Sequence, residues 1–147
     1  MPVKLDSSKL NNRNTVSGSG VAPKSTGAAF VNNLKEARVE IFDGNMKELV
    51  QVVKERGEKF LKSPDENLLT SYKESIRFFL KKLKDEFLSL KEEFGTKKDG
   101  EQKIYQLVET TEAEVSQLTR ETLTESRAMG LLASLDDVRG LVLDIMG

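Results

Sequence analysis

Residues 63–95 read SPDENLLTSYKESIRFFLKKLKDEFLSLKEEFG, and this stretch decides the fold class. Its large apolar residues recur at gaps of three and four, which is close to the heptad repeat of a helix that packs along one face. Such a pattern predicts one long amphipathic helix and excludes a strand, whose apolar residues would alternate. The repeating residues are Leu69, Tyr72, Ile76, Phe79, Leu83, Phe87, Leu90 and Phe94.

Both ends of this stretch carry helix boundary signals. Ser63 can cap the first turn, Pro64 suits the first helical position, and Glu66 completes a capping box. Gly95 follows the last apolar residue and is typical of a C-terminal cap. We therefore expect the helix to run from residue 64 to residue 94.

Additional apolar residues widen the stripe on this helix beyond one face. They are Leu68, Phe78, Leu80 and Leu88. A helix that is apolar across more than one face needs cover from more than one neighbour. That cover can be intramolecular core, or the side carrying Phe78 and Leu88 can meet another protein or a second copy.

The rest of the chain from Ala28 onward also shows helical spacing. Further helices are predicted at residues 28–42, 45–62, 101–124 and 127–146. The first of these carries Phe30, Leu34, Ala37 and Ile41 at spacings of four, three and four. Asp43-Gly44-Asn45 is a turn signal that could break or kink the chain between the first two helices. The fold class is therefore all-α: an antiparallel helical bundle of four to five helices with a flexible N-terminal tail.

The tail comprises residues 1–27, and the bundle domain comprises residues 28–147. The tail is rich in Ser, Asn and Gly and lacks a hydrophobic period, so it cannot offset its ordering entropy by burial. Its segment GSGVAPKS, residues 18–25, is one residue away from a phosphate-binding loop. Pro23 stands where that loop requires glycine, which argues against nucleotide binding.

Composition excludes several chemistries. The chain has 147 residues and no cysteine or histidine, so thiolate metal sites, cysteine nucleophiles and the commonest general base are absent. Its 23 basic and 24 acidic residues give no electrostatic case for a nucleic-acid or membrane partner. No secretory signal or membrane-spanning stretch is evident, so we expect a cytoplasmic protein without a cofactor.

Two charged clusters have ordinary interpretations as solvated helix faces. Glu109, Glu112 and Glu114 could in principle hold Mg²⁺ or Ca²⁺, but they are typical of an exposed face. The lysines at 81–84 and 97–98 are interleaved with acids, so their fields largely cancel. We therefore predict neither a metal site nor a nucleic-acid interface.

The C-terminal segment LDDVRGLVLDIMG, residues 135–147, places charges inside an apolar helix. Arg139 can pair with Asp136 three residues earlier, or reach an acid on the third or fourth helix. Gly140 would allow a neighbouring group to approach closely, and Asp144 lies where the helix dipole disfavours an anion. We predict that Arg139 and Asp144 form a polar clasp between helices, with Lys73, Arg77 or a backbone donor from another helix as the partner of Asp144.

The same segment resembles the C-terminal signature of the YaaR-like family, small bacterial proteins of unknown function. The matching positions are Leu132, Leu135, Asp136, Asp137, Val138, Arg139, Gly140, Leu141 and Asp144. In the middle of the chain, Asn67, Leu68, Tyr72, Lys73, Phe79 and Leu80 fall on a second family pattern. The resemblance covers about residues 28–147 and implies a helical bundle in a bacterial cytoplasm. It implies no reaction.

Two functional hypotheses follow. The first is a non-catalytic protein that acts through protein–protein interaction or self-association, for example as a homodimer. The alternative is a regulatory module that senses a small anionic ligand, if Lys73, Arg77 and Arg139 converge in the bundle. The candidate structural or interaction residues are Asp136, Asp137, Arg139, Gly140, Asp144, Tyr72, Lys73 and Arg77.

Overall fold

The computed structural model describes residues 23–96 and 98–147, and within them it contains four helices and no strand. The helices are α1 (Pro23–Lys62), α2 (Glu66–Phe94), α3 (Lys98–Ser116) and α4 (Glu125–Met146). The all-α helical bundle predicted from the sequence is confirmed. The chain divides between Glu36 and Ala37 into two units, and the bundle belongs to the second.

The predicted tail falls mostly outside the described residues. These exclude residues 1–22, which hold most of the tail and the first half of GSGVAPKS, and also Lys97 of the second lysine cluster. The last five tail residues already belong to α1, which begins at Pro23.

Of the two alternatives at Asp43-Gly44-Asn45, a break is wrong, because α1 continues through these residues as one helix of 40 residues. Phe42 and Met46 flank the turn signal one helical turn apart, and both are fully buried. Keeping both side chains in the core requires helical backbone between them, and this burial outweighs the local turn preference.

The continuity of α1 fixes which of its faces lies inward. Ile41 is 59% exposed, whereas Phe42, one residue and about 100° further round the helix, is fully buried. The four apolar residues at helical spacing in the first predicted helix are all exposed. They are Phe30, Leu34, Ala37 and Ile41. Their spacing is regular, but none of them contributes a buried side chain.

The repeating apolar residues of α2 form the core, as the sequence predicts. Every repeating residue from Leu69 to Leu90 is buried, and Phe94 is half-buried at the helix end. Leu80 is also fully buried, so α2 packs against more than one helix. Phe78 and Leu88, in contrast, are 56% and 43% exposed.

The N-terminal cap of α2 differs from the predicted one, whereas the helix ends at the predicted glycine. Asp65, rather than Ser63, is the N-terminal cap, and its carboxylate accepts a hydrogen bond from the Leu68 amide at 2.8 Å. A carboxylate at this position also complements the positive end of the helix dipole. Gly95 ends the helix with φ 76°, as predicted from the left-handed conformation that glycine tolerates.

The third helix of the bundle is shorter than the predicted segment 101–124. α3 ends at Ser116, and a turn follows in which the Thr119 amide donates to the Thr122 hydroxyl at 2.8 Å. Leu118 and Leu123 are buried on either side of this turn and anchor it to the core. Thr124 then caps α4 by accepting from the Arg127 amide.

Contacts along the second unit show that sequential helices run antiparallel. Arg38 near the start of this unit pairs with Glu93 at the end of α2. At the other end of the same pair, the Arg56 guanidinium donates to the Ser71 carbonyl at 3.0 Å. Lys91 of α2 pairs with Glu101 at the start of α3, and α3 and α4 also pack against each other. The order is therefore up, down, up, down.

Gly100 of α3 packs closely against Ile145 of α4. A Cβ at Gly100 would overlap the Cγ2 methyl of Ile145 and lie 3.2 Å from its Cβ. We expect Gly100→Ala to lower the free energy of unfolding by about 1–3 kcal/mol through overpacking. Gly140→Ala is the matched control, since a Cβ there would meet nothing within 4 Å. It should raise stability by about 0.5–1 kcal/mol in urea unfolding, and equal effects would contradict this packing.

Candidate functional site

Arg139 joins α4 to α1. Its guanidinium pairs with Asp43 of α1 and, at 3.0 Å, with Asp136 one turn earlier in α4. The Arg139 side chain is only 14% exposed. A guanidinium withdrawn from water in this way requires carboxylate partners, and it has two.

Lys47 extends these contacts into an alternating network, because its Nζ lies 3.2 Å from the second carboxylate oxygen of Asp43. Burial lowers the pKa of Arg139, but hydrogen bonds to Asp136 and Asp43 outweigh burial and the pKa is raised overall. The network holds two cations and two carboxylates. Its charges balance within the protein, so no uncompensated charge remains for an anionic ligand.

The inter-helix partner of Arg139 differs from the predicted one. The acid comes from α1, not from the third or fourth predicted helix. The sequence does not predict Asp43 as the partner of Arg139, because Asp43 lies in the turn signal at residues 43–45. Once α1 is continuous, Asp43 follows the buried Phe42 and lies at the edge of the core.

The other C-terminal candidates are not part of this network. Asp137 and Asp144 are exposed, and Asp144 makes no ion pair with any residue that the structure describes. The prediction that Asp144 takes part in the clasp is therefore wrong. A Cβ added at Gly140 would have nothing within 4 Å, so the expected close approach of a neighbour is also wrong. At the helix end, Asp144 reaches water and needs no buried partner.

Lys73 lies beside a residue that packs far along α1 from the contact of Arg139. Tyr72, the neighbour of Lys73, packs against Gly57 of α1, while Arg139 binds Asp43 of the same helix. Gly57 and Asp43 are 14 residues apart, which corresponds to about 21 Å along the helix. The ligand-sensing hypothesis, which needs Lys73, Arg77 and Arg139 together, stays a prediction.

Tyr72 occupies a separate buried site. Its side chain is 1% exposed, and a Cβ at Gly57 would lie 3.0 Å from its Cε1 atom. The glycine therefore makes room for the ring. The Tyr72 hydroxyl is buried without a hydrogen-bond partner among the described residues. Burial raises the pKa of Tyr72 to about 12, which keeps the phenol protonated at neutral pH.

A cavity of about 120 Å³ lies beside this ring between α1 and α4. Its apolar lining comes from Val53, Leu61, Ala128 and Leu132, and Tyr72 is the one lining residue from α2. Lys54, Glu58, Glu125 and Met129 also line it. These four side chains are exposed, so the cavity opens to solvent on their side.

A second polar cluster joins α2 to α3 near their connection. Lys91 donates to Glu101 at 3.1 Å, and its ammonium lies 5.8 and 5.7 Å from the ring centres of Phe87 and Tyr105. The hydrogen bond to Glu101 raises the pKa of Lys91 above its ordinary value. Thr96 also donates to Glu101. This cluster was missed from the sequence, although Lys91 and Glu101 flank one short connection.

The predicted acidic face carries an inter-helix contact. Glu112 lies 3.9 Å from Lys84 of α2, and both side chains are about 40% exposed. Within the residues that the structure describes, no group of three or more carboxylates is arranged to hold a metal ion. In the same part of the chain, no helix is long and apolar enough to cross a membrane.

Residues 4–146 match the family model described as Protein of unknown function (DUF327). The match spans nearly the whole chain, which therefore belongs to this family. It confirms the family predicted from the C-terminal signature, since YaaR belongs to it. Neither the comparison with curated proteins nor that with solved structures gives a match.

The pair formed by Arg139 and Asp43 can be tested by a double-mutant cycle. We expect Arg139→Ala to lower the free energy of unfolding by roughly 1–3 kcal/mol, because Asp43 loses its inter-helix partner. The coupling energy with Asp43→Ala should be about 1–2 kcal/mol.

The matched control is the cycle for Lys81 and Asp85, whose side chains are 77% and 65% exposed. Its coupling energy should stay below about 0.5 kcal/mol. Equal coupling in the two cycles, measured by urea unfolding, would show that the Arg139 pair does not fasten α4 to α1.

The raised pKa of Tyr72 predicts a loss of stability at high pH. Above pH 10 the unfolded chain loses the Tyr72 proton, while the folded chain keeps it until about pH 12. The unfolded state then binds fewer protons, so the free energy of unfolding falls across this window. At pH 11 the loss should be roughly 1–1.5 kcal/mol. Tyr72→Phe should lack this contribution, and identical profiles of the two proteins from pH 8 to 11 would contradict the burial of the phenol.

Proposed function

We propose that this member of the DUF327 family is a non-catalytic cytoplasmic protein that associates with a second copy of itself through the first part of α1. One observation carries the proposal. Phe30, Val31 and Leu34 lie on a helix and are 67%, 49% and 39% exposed. We call these three residues the α1 stripe.

The α1 stripe belongs to a helical segment without a buried side chain. From residue 27 to residue 36 every residue is exposed except Lys35, which is half-buried. Short helical segments are marginal in water on their own, and most gain stability when an apolar face packs against a neighbour. Phe30 and Leu34 are four residues apart and so share one face. An apolar helix face of this kind is typical of a segment that packs against another protein molecule.

A second copy suits this segment because its charges are self-complementary. Lys35 and Glu36 follow Leu34 directly, so the segment supplies both signs of charge beside its apolar face. An interface with twofold symmetry uses the same patch on both copies and needs such complementarity. The net charge of −1 also gives little long-range repulsion between copies.

The absence of a catalytic role is supported by the chemistry of the side chains. The chain has no histidine or cysteine. Burial raises the pKa of the Tyr72 hydroxyl to about 12, which makes it a weak nucleophile at neutral pH. Arg139 is engaged by Asp43 and Asp136. The interaction hypothesis therefore rests on an exposed surface, whereas an enzyme would require a reactive group that these residues do not supply.

Self-association through the α1 stripe is tested with the double variant Phe30→Ser/Leu34→Ser. Size-exclusion chromatography with light scattering should show dimers of the wild type at micromolar concentration. The double variant should dissociate with a dissociation constant raised at least ~tenfold, since each apolar side chain contributes about 1.5–3 kcal/mol when buried. Its unfolding midpoint measured below the dimerisation range should be unchanged, because both side chains are exposed.

The matched control is Phe78→Ser/Leu88→Ser, which removes two exposed apolar residues from α2. This variant should still dimerise. A wild type that stays monomeric up to millimolar concentration would contradict the proposal. Dissociation of the control variant alone would contradict the placement of the interface on α1.

A further inference from the structure

We propose that the groove between α1 and α4 is a docking site for an amphipathic helix of another protein, and that this helix carries an acid, a large apolar residue and a base in successive turns. The site is separate from the α1 stripe and does not depend on self-association. Three observations in the second unit support it: the antiparallel course of the two helices, an open apolar cavity between them, and three charged side chains at the rim of the cavity.

The walls of the groove are antiparallel helices. Asp43 of α1 pairs with Arg139 of α4, and further along α1 the segment 53–61 lines the cavity together with the segment 125–132 of α4. Residue numbers therefore rise along one wall and fall along the other. The eight steps from residue 53 to residue 61 cover about 12 Å of helix. The groove is thus about two turns long, which suits a short helix laid along it.

The cavity in the groove accepts one large apolar side chain. Its volume is about 120 Å³, and cavities of about 150 Å³ accommodate benzene. A phenylalanine or leucine side chain therefore has the right size to enter through the open side. The apolar lining consists of Val53, Leu61, Ala128 and Leu132. Met129 at the open side is 64% exposed, and the flexible methionine side chain adapts to the shape of a bound partner.

Three charged side chains stand at the rim. Lys54 and Glu58 belong to α1 and Glu125 belongs to α4, and all three are exposed. Their side chains form no ion pair or hydrogen bond with any residue that the structure describes, although Lys54 and Glu58 are four residues apart on one helix. Charges without a partner beside an apolar cavity are available to a molecule that brings the opposite signs.

The two acids lie at one end of the groove and the base lies nearer the other. Glu58 is 15 residues from Asp43 along α1, and Glu125 is 14 residues from Arg139 along α4. These separations are about 22 and 21 Å, so the two acids stand at about the same level on opposite rims. Lys54 is four residues, or about 6 Å, closer to the level of Asp43.

These positions define the chemistry of the partner. A base on the partner belongs beside the two carboxylates of Glu58 and Glu125, and an acid belongs beside Lys54. The large apolar residue lies between the acid and the base and enters the cavity. Residues three or four apart on a helix are neighbours on one face. The matching helix therefore has an acid, an apolar residue and a base at intervals of three or four.

A synthetic helix tests the site. The probe is an alanine-based peptide of about 15 residues, long enough for partial helicity, with glutamate, phenylalanine and lysine at intervals of about three residues. It is titrated into the full-length ¹⁵N-labelled protein while amide chemical shifts are followed by NMR. We expect saturable shifts at Gly57, Ala128 and Leu132. Peptides in which alanine replaces the phenylalanine, or glutamate replaces the lysine, should bind about fivefold or more weakly.

The double variant Glu58→Lys/Glu125→Lys reverses the charge at one end of the groove. It should bind the peptide with two glutamates more tightly than the original probe, which inverts the preference of the wild type. The matched control is Glu92→Lys/Glu109→Lys, which makes the same change in net charge at exposed positions that do not line the groove. This control should keep the preference of the wild type.

Three results would overturn the proposal. The first is the absence of saturable shifts at these amides up to about 1 mM peptide. The second is equal affinity for the peptides with phenylalanine and with alanine, which would show that the cavity takes no part in binding. The third is an inverted preference in the control variant, which would show that net charge alone determines which peptide binds.

Discussion

The burial of Phe42 and Met46 in neighbouring turns of α1 is the constraint on which the remaining features depend. Both side chains can enter the core only if the backbone between them is helical, although the residues between them favour a turn. Helical continuity then fixes the rotation of α1 about its axis. This rotation brings Asp43 to the edge of the core, where it meets Arg139, and it turns Ile41 towards solvent.

The same helix carries two further features. Its first part presents the α1 stripe to solvent, and Gly57 near its other end makes room for Tyr72. Between them, Asp43 and Lys47 provide a charge-balanced contact to α4. The polar network around Arg139 therefore joins α4 to α1. The α1 stripe is an exposed apolar surface.

The sequence predicted the parts of the fold in which burial and helical period agree. The stripe of α2, its end at Gly95 and the inward face of α4 all follow from spacing, because these helices bury one continuous face. The local sequence could not show that the helix continues through Gly44, since the competing interaction is the burial of Phe42 and Met46 in the core. Spacing alone also cannot distinguish a stripe that faces the core from one that faces solvent.

The candidate site was predicted only in part for a related reason. Arg139 was identified from its position inside an apolar helix, but its partner Asp43 is 96 residues away in sequence. The role of Tyr72 depends on Gly57 and on a cavity between two other helices, and neither can be derived from a linear pattern. Such long-range contacts depend on how each helix is rotated about its axis and how it is aligned along its neighbours. The sequence pattern specifies both only for helices that bury one continuous face.

The central claim is that α1 is one uninterrupted helix through Gly44, and the free energy of unfolding of Gly44→Ala tests it most directly. Nothing lies within 4 Å of a Cβ at this position, so only the backbone conformation determines the effect. In a continuous helix, alanine should raise the free energy of unfolding by about 0.5–1 kcal/mol relative to glycine. A decrease would mean that Gly44 adopts a turn conformation that alanine does not tolerate, and would contradict the continuous helix.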